Sequence, residues 1–229
     1  MIANSHLLCY NISVIYAFSH KTEMNYINLL PQLNKLKIFS PQDIYLINPN
    51  FRQATLYDWE NQGKVQKIRN GWYTLGGFQP EGLDYYLIAN RIYQPSYISL
   101  DSALSHYGII PEGVVQITSV STNKTQSFQT PFGSFAYRSI KETLYFGYDI
   151  IEYGEIGLRM ASPEKALLDT IYLNPDINNK EDFQAWRFNT VVLAELLDEE
   201  KLLKYATIFN NKRLLRATKL LIEHIHENA

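Results

Sequence analysis

Three cations lie close together in a segment that also contains a turn dipeptide. Lys64, Lys67 and Arg69 fall within QGKVQKIRNGWYTL, which spans residues 62–75. Long cationic side chains beside a tight turn are suited to electrostatic contact with phosphate groups. Asn70-Gly71 is a strong sequence signal for a β-hairpin, so the cations are expected on two short strands. The alternative interpretation is a solvated hairpin whose charges bind nothing.

Three helices are predicted ahead of this hairpin. An apolar stripe at steps of three, starting at Ile27, predicts the first helix. Ser40 and Asp43 have the spacing of a capping box, with proline between them at the first helical position, and they begin a short second helix. The third helix is predicted to begin at Asn48 or Asn50, since asparagine is a favourable N-cap, and to end just before a glycine.

Three helices followed by a two-stranded ribbon is the order of a winged helix-turn-helix, so residues 24–76 are predicted to bind DNA. In such a domain the third helix enters the major groove, where side chains contact base edges, and the hairpin lies along the phosphate backbone. The residues predicted to contact DNA are Arg52, Gln53, Thr55 and Asn61 on the third helix, and Lys64, Lys67 and Arg69 on the hairpin.

Charge is divided unevenly between the two parts of the chain. The 229 residues carry a formal net charge of −2. Residues 24–76 contain six Lys or Arg and three Asp or Glu (+3), whereas residues 77–229 contain 14 basic and 19 acidic residues (−5). A basic small domain suits a polyanion such as double-stranded DNA, and the acidic larger domain does not. With 46% apolar residues, each of two domains has enough apolar surface to form a core.

The N-terminal segment and the single cysteine bear on location. Residues 7–18 are apolar, but a bilayer span needs about 20 such residues, and the charged start of a signal peptide is missing. No membrane partner is therefore predicted. Cys9 excludes an internal disulfide and a zinc site of several thiolates, which fits a cytoplasmic protein. Residues 1–23 have two open interpretations: a loosely attached extension of unknown role, or an extra strand or helix packed on the body.

The larger domain, residues 77–229, is predicted to be mixed α/β, which makes the whole chain α+β. After a linker at residues 76–82 come two helices, a β meander, and a β-hairpin around Gly154. Ser162, with Pro163 and Glu164 after it, has the pattern of a helix N-terminus. The tail from residue 190 is predicted to be helical, in two amphipathic stretches.

No group of residues in the sequence makes a convincing catalytic centre. Asp176, Glu199 and Lys201 match the PD…ExK pattern of metal-dependent nucleases. However, Glu199 and Lys201 lie in a helix that is predicted to be exposed. His224 and His226 are two positions apart on a helix and point in different directions, so they make a weak metal pair. The protein is therefore predicted to be no enzyme and to use no metal or cofactor.

Several segments carry a resemblance to a known family. PSYISLDSALSHYGIIPE, ITSVSTNKTQSFQTPFGSFAYRSI and MASPEKALLDTIYL resemble the AbiEi antitoxin family, described as transcriptional regulators of an abortive-infection, phage-defence system. FSPQDI and LYDWENQGKVQKIRNGWYTL are similar to the winged-helix domain of that family. The resemblance covers roughly residues 25–175 and extends more loosely into the helical tail.

This resemblance implies an antitoxin of a bacterial type IV toxin–antitoxin system. The N-terminal domain would repress its own operon by binding repeats upstream. The C-terminal domain would counter a nucleotidyltransferase-like toxin, without necessarily forming a stable complex with it. Two alternatives stay open: a ligand-responsive repressor without a toxin partner, and a nuclease that the winged helix targets to DNA.

Overall fold

The computed structural model describes residues 26–111, 113 and 115–229. The predicted extension over residues 1–23 and the predicted domain start at residue 24 lie outside the described residues. The chain divides into two compact units, the first ending at Gln79 and the second spanning Pro80–Ala229. This boundary falls within the segment that the sequence suggested as a linker.

In its described part, the first unit consists of helices packed on a small antiparallel sheet of strand order β1-β3-β2. Its elements are α1 (residues 26–36), β1 (Ile38–Phe39), α2 (Pro41–Ile47), α3 (Ala54–Asn61), β2 (Val65–Arg69) and β3 (Trp72–Leu75). The capping box predicted at α2 is confirmed. The Ser40 hydroxyl accepts a hydrogen bond from the Asp43 amide at 3.3 Å, and the Asp43 carboxylate accepts one from the Ser40 amide at 2.7 Å.

A close backbone approach holds the base of the β2–β3 hairpin, whose predicted turn at residues 70–71 is also confirmed. The Gly76 amide donates a hydrogen bond to the Lys64 carbonyl at 2.8 Å. A Cβ atom at position 76 would lie 1.8 Å from the carbonyl oxygen of Gly63. Only glycine fits there, so the chain leaving β3 is held directly against the end of α3.

The second unit is a six-stranded mixed sheet with helices, which makes the described chain an α+β protein. Its elements are α4 (Asp84–Ile92), β4 (Ser96–Ile98), α5 (Asp101–His106), β5 (Gln116–Ser121), β6 (Gln126–Thr130), β7 (Gly133–Ser139), a 3₁₀ turn (Glu142–Leu144), β8 (Tyr148–Tyr153), β9 (Ile156–Ala161), α6 (Pro163–Leu173), α7 (Lys180–Ala185), α8 (Thr190–Leu196), α9 (Glu199–Ile208) and α10 (Lys212–Asn228).

The predicted β meander is wrong, because the strand order is β6-β7-β5-β4-β9-β8 and β5 does not pair with β6. Strand β7 lies between them, parallel to β5 and antiparallel to β6. The burial of side chains explains this order. Phe135 and Tyr137 of β7 are buried, as suits an interior strand, whereas the polar β6 is largely exposed and forms an edge. The hairpin predicted around Gly154 is confirmed as β8–β9.

Helix α6 is buried on most of its surface and anchors the second unit. Ser162 caps it as predicted, with its hydroxyl accepting from the Lys165 amide. The predicted core positions Ala166, Leu167, Thr170 and Ile171 are all fully buried. The tail differs from the prediction. Its first amphipathic stretch is two helices, because the Asp198 carboxylate accepts a hydrogen bond from the Lys201 amide at 2.9 Å and begins α9 anew.

Candidate nucleic-acid interface

Helix α3 is held by an aromatic contact on its inner side. Leu56 and Trp59 are buried, and the Trp59 ring lies between Tyr26 and Phe51, with ring centroids 5.2 and 5.4 Å away. These two helical positions, three residues apart, fix the rotation of α3 about its axis. Its opposite side therefore faces away from the core of the unit.

The predicted start of the third helix is wrong, and this moves two of the predicted DNA-contacting residues. Helix α3 begins at Ala54 rather than at Asn48 or Asn50. The Asn48 side chain instead accepts a hydrogen bond from the amide of residue 50 at 3.1 Å, which forms a local turn. The buried ring of Phe51 then anchors the connection between α2 and α3.

Arg52 and Gln53 are therefore in the turn before α3, not inside it. Both are exposed, and Gln53 occupies the N-cap position without forming a side-chain cap. Thr55 is partly buried in the first turn, and Asn61 is exposed at the last helical position. The four residues predicted for base contact thus extend from the turn before α3 to its C-terminal end.

The hairpin carries its cations on two faces because β2 contains an irregularity. Lys67 pairs with Tyr73, and Arg69 pairs with Trp72, so β2 has one more residue between these pairs than β3. Consecutive residues of β3 point to opposite faces of the sheet. Lys67 therefore shares a face with Tyr73, which packs against the core, and Arg69 lies on the other face. In a regular strand, two residues two positions apart would share a face.

The third hairpin cation, Lys64, lies at the base rather than near the turn. Its ammonium group is 5.4 Å from the ring centroid of Tyr26, and its carbonyl accepts a hydrogen bond from the Tyr26 hydroxyl at 3.1 Å. This cation–π contact joins α1 to the hairpin. Lys64 thus has a packing role as well as a charge.

Positive charge lies on either side of α3 in the chain rather than on the helix itself. Helix α3 contains Asp58 and Glu60 and no Lys or Arg. The cations are Arg52 before it and those of the hairpin after it. Carboxylates on α3 disfavour close approach to phosphates, whereas cations on the flanks favour it. The flanking cations would therefore hold a polyanion at the two edges of this surface. The polar groups of α3 would then lie between its two rows of phosphates.

A buried ionic cluster in the second unit was missed by the sequence analysis. The Lys165 ammonium group contacts the Asp169 carboxylate one turn away in α6, and both side chains are fully buried. Tyr97 and Ser99 each donate a hydrogen bond to Asp169, at 2.9 and 2.8 Å. Burial lowers the pKa of Lys165 and raises the pKa of Asp169, while each charge opposes the effect on the other. The spacing of four along α6 was the available signal, but it is usual for exposed pairs.

The Lys165 ammonium group is surrounded by aromatic rings. It lies 5.2 Å from the ring centroid of Phe146 and 5.0 Å from that of Phe209, and it donates to the Tyr97 hydroxyl at 2.8 Å. Burial, followed by the neighbouring Asp169 charge, raises the pKa of Tyr97 well above its usual value. All four members of the cluster, Lys165, Asp169, Tyr97 and Ser99, are buried. The cluster therefore links α6 to β4 inside the unit.

Two residues of the nuclease-like pattern, Glu199 and Lys201, are engaged in other contacts. Asp176 is exposed after α6, Glu199 accepts from the His226 ring at 2.5 Å, and Lys201 pairs with the buried Glu164 at 2.8 Å. His224 lies beside the ring of Phe183. In the described part of the chain, no three His, Cys, Asp or Glu side chains are placed to hold a metal ion. Within the same part, none of the helices has the length and apolar character needed to cross a bilayer.

A pocket of about 390 Å³ opens on the second unit beside the start of β5. It is lined by Asp101, Ile110, Gly113, Val115, Gln116, Thr118, Ala185 and Trp186. This volume is within the range of small-molecule sites. The lining is mainly apolar, so it suits a small apolar molecule.

The comparisons with known proteins supply no family for this chain. No family model matches it, and no curated protein does so significantly.

Proposed function

We propose that the protein is a DNA-binding regulator that represses its own operon and serves as the antitoxin of a type IV toxin–antitoxin pair. The observation that carries the DNA-binding part is the arrangement of the first unit. Its helices precede a β-hairpin, α3 turns an exposed polar side outward, and cations lie on both flanks of that helix. This is the arrangement expected of a winged helix-turn-helix.

In this proposal α3 lies in the major groove and the hairpin lies against the backbone. Gln53 and Asn61 have amide groups that pair with adenine, and Arg52 has the fork that pairs with guanine. Lys67 and Arg69, on opposite faces of the hairpin, would contact phosphates on its two sides.

The antitoxin part rests on the resemblance to the AbiEi family together with the character of the second unit. Residues 77–229 are acidic overall, so this part of the chain is poorly suited to DNA. The Lys165–Asp169 cluster brings ionisable groups close together, but it is buried and no substrate can reach it. A non-catalytic body that acts on a nucleotidyltransferase-like toxin fits both observations.

The test is co-expression with the gene next to it, using growth rescue and operon expression as separate readouts. The full-length protein should restore growth and repress a reporter fused to the upstream region. Arg52→Ala and Lys67→Ala should lose repression and keep rescue, because both residues belong to the first unit. Loss of rescue by these variants while they stay folded would contradict the division of labour. Absence of rescue by the unaltered protein would contradict the antitoxin assignment.

The pocket beside β5 favours a second candidate, a repressor that responds to a small ligand. Trp186 lines this pocket, so ligand binding should change its fluorescence. A compound that alters both Trp186 fluorescence and operator affinity would support this candidate. Trp186→Phe, with Trp59 and Trp72 retained, is the control for the origin of the signal.

A further inference from the structure

The outward side of α3 has an aromatic residue at its centre. Tyr57 is 68% exposed, although it lies between the buried Leu56 and the partly buried Asp58. Leu56 and Trp59 define the inner side of the helix, and Tyr57 projects away from both of them. Such exposure of a large ring on a helix whose other side packs well is not explained by packing within the unit.

The neighbours of Tyr57 are the polar groups proposed to contact bases. Gln53 is four residues before it and Asn61 is four residues after it, so the three share one side of the helix. Ala54 is exposed on the same side, one turn before Tyr57, and its small side chain leaves the ring uncovered. An amide, an aromatic ring and an amide therefore follow one another along the exposed surface of α3.

The chemistry of the major groove assigns a partner to the ring. The C5-methyl group of thymine is the one apolar group that base edges present there, and apolar side chains contact it. The major-groove edges of cytosine, adenine and guanine carry no methyl group. A ring on the groove-facing side of α3 can thus favour thymine through this methyl group, in addition to the adenine contacts proposed for Gln53 and Asn61.

We propose that Tyr57 is a specificity-determining residue of α3 and that it contacts the methyl group of a thymine in the major groove. This inference rests on the proposed function, since it requires α3 to enter that groove. Four helical residues span about 6 Å, or about two base-pair steps. With α3 lying along the groove, the thymine is therefore about two base pairs from each position that Gln53 and Asn61 contact.

The experiment replaces each thymine of the operator with uracil, one at a time, which removes the methyl group alone. The full-length protein should lose about fourfold in affinity when the contacted thymine is replaced, as expected for one buried methyl-sized group. Tyr57→Ala should bind the unaltered operator less tightly and show no further loss with uracil at that position. Tyr57→Phe, which keeps the ring, should retain the sensitivity to uracil.

Leu46→Ala is the matched control, because Leu46 is an 86%-exposed apolar residue on the neighbouring helix α2. Its operator affinity and its sensitivity to uracil should equal those of the unaltered protein. If the protein prefers its operator but Tyr57→Ala behaves like Leu46→Ala, the thymine contact is wrong and the proposed function stands. A protein without any operator preference overturns both. Loss of self-association by Tyr57→Ala, with operator binding unchanged, assigns the ring to a protein interface and also overturns the inference.

Discussion

The ammonium group of Lys165 contacts the carboxylate of Asp169 inside helix α6, and neither side chain reaches solvent. Tyr97 and Ser99, on and just after strand β4, complete the hydrogen bonding of that carboxylate. Desolvating an ion pair in such a site costs free energy. The cost is offset because the remaining donors and acceptors of the pair form hydrogen bonds. The pair thereby fixes one helix against one central strand of the second unit.

Replacing one partner of this pair should lower the free energy of unfolding far more than replacing both partners. Lys165→Met leaves the Asp169 carboxylate buried and uncompensated, so the free energy of unfolding should fall by about 3–5 kcal/mol. Lys165→Met combined with Asp169→Leu removes both charges and should recover most of that loss. Urea unfolding of the two variants and of the unaltered protein measures the difference. A double variant as unstable as the single one would show that the pair itself, and not the unpaired charge, stabilises the fold.

Leu167 should be a sensitive position in the core of the second unit. It is fully buried in α6, and truncation of a buried leucine leaves a cavity. Leu167→Ala is therefore expected to lower the free energy of unfolding by about 2–5 kcal/mol. Leu196→Ala is the control, since Leu196 is 43% exposed at the end of α8 and should change stability little. Equal effects of the two substitutions in urea unfolding would contradict the assignment of the core.

Ionisation of Glu164 should make the free energy of unfolding depend on pH in the acidic range. Burial alone would raise the pKa of Glu164, but hydrogen bonds from Lys201, Ser162 and backbone amides outweigh it and hold that pKa below the usual 4.5. The stabilisation by ionised Glu164 is then fully present above pH 4.5 and is lost as the pH falls through the lower folded value.

Glu164→Gln tests this dependence. The variant should be less stable than the unaltered protein at neutral pH, and the gap should narrow as the pH falls below 4.5. Thermal unfolding across that pH range provides the measurement. We expect the folded variant to keep near-normal growth rescue, because Glu164 is an internal contact. A gap that stays constant with pH, or a folded variant that loses all rescue, would contradict the structural role.

Lys67 and Arg52 should affect DNA binding in different ways. Lys67→Ala should weaken specific and random DNA alike and reduce the salt slope by about one, as the loss of one phosphate contact does. Arg52→Ala should cost roughly 1–3 kcal/mol on the operator and much less on random DNA. Titrations over a salt series on both DNAs separate the two effects. If Lys67→Ala leaves affinity and slope unchanged, the hairpin is a solvated surface.

Local signals in the sequence predicted local structure well. Three confirmed features each depend on residues within a few positions of one another: the capping box at Ser40, the hairpin turn at Asn70-Gly71 and the helix start at Ser162. The start of α3 failed for the same local reason: asparagine serves equally well as a helix cap and as a turn former, and the buried Phe51 decides between them.

Features that depend on distant parts of the chain were not predictable from the sequence. The insertion of β7 between β5 and β6 requires knowledge of which strand is buried by other elements. The Lys165–Asp169 pair was missed, because a spacing of four is usual for exposed pairs and the aromatic rings that enclose this one come from far along the chain. The assignment of hairpin cations to two faces depended on a single irregularity in β2 that leaves no clear mark in its sequence.

The parallel pairing of β4 with β9 sets an order for folding. Ile98 of β4 pairs with Met160 of β9, so β9 and β8 join the large sheet only after a long stretch of intervening chain has been made. Pairings of such sequence separation form slowly, whereas the first unit closes its sheet between Ile38 and Thr74. During synthesis on the ribosome, the first unit can complete its pairings while the second still lacks β8 and β9. The first unit, which we propose binds DNA, can therefore be folded before the second unit is complete.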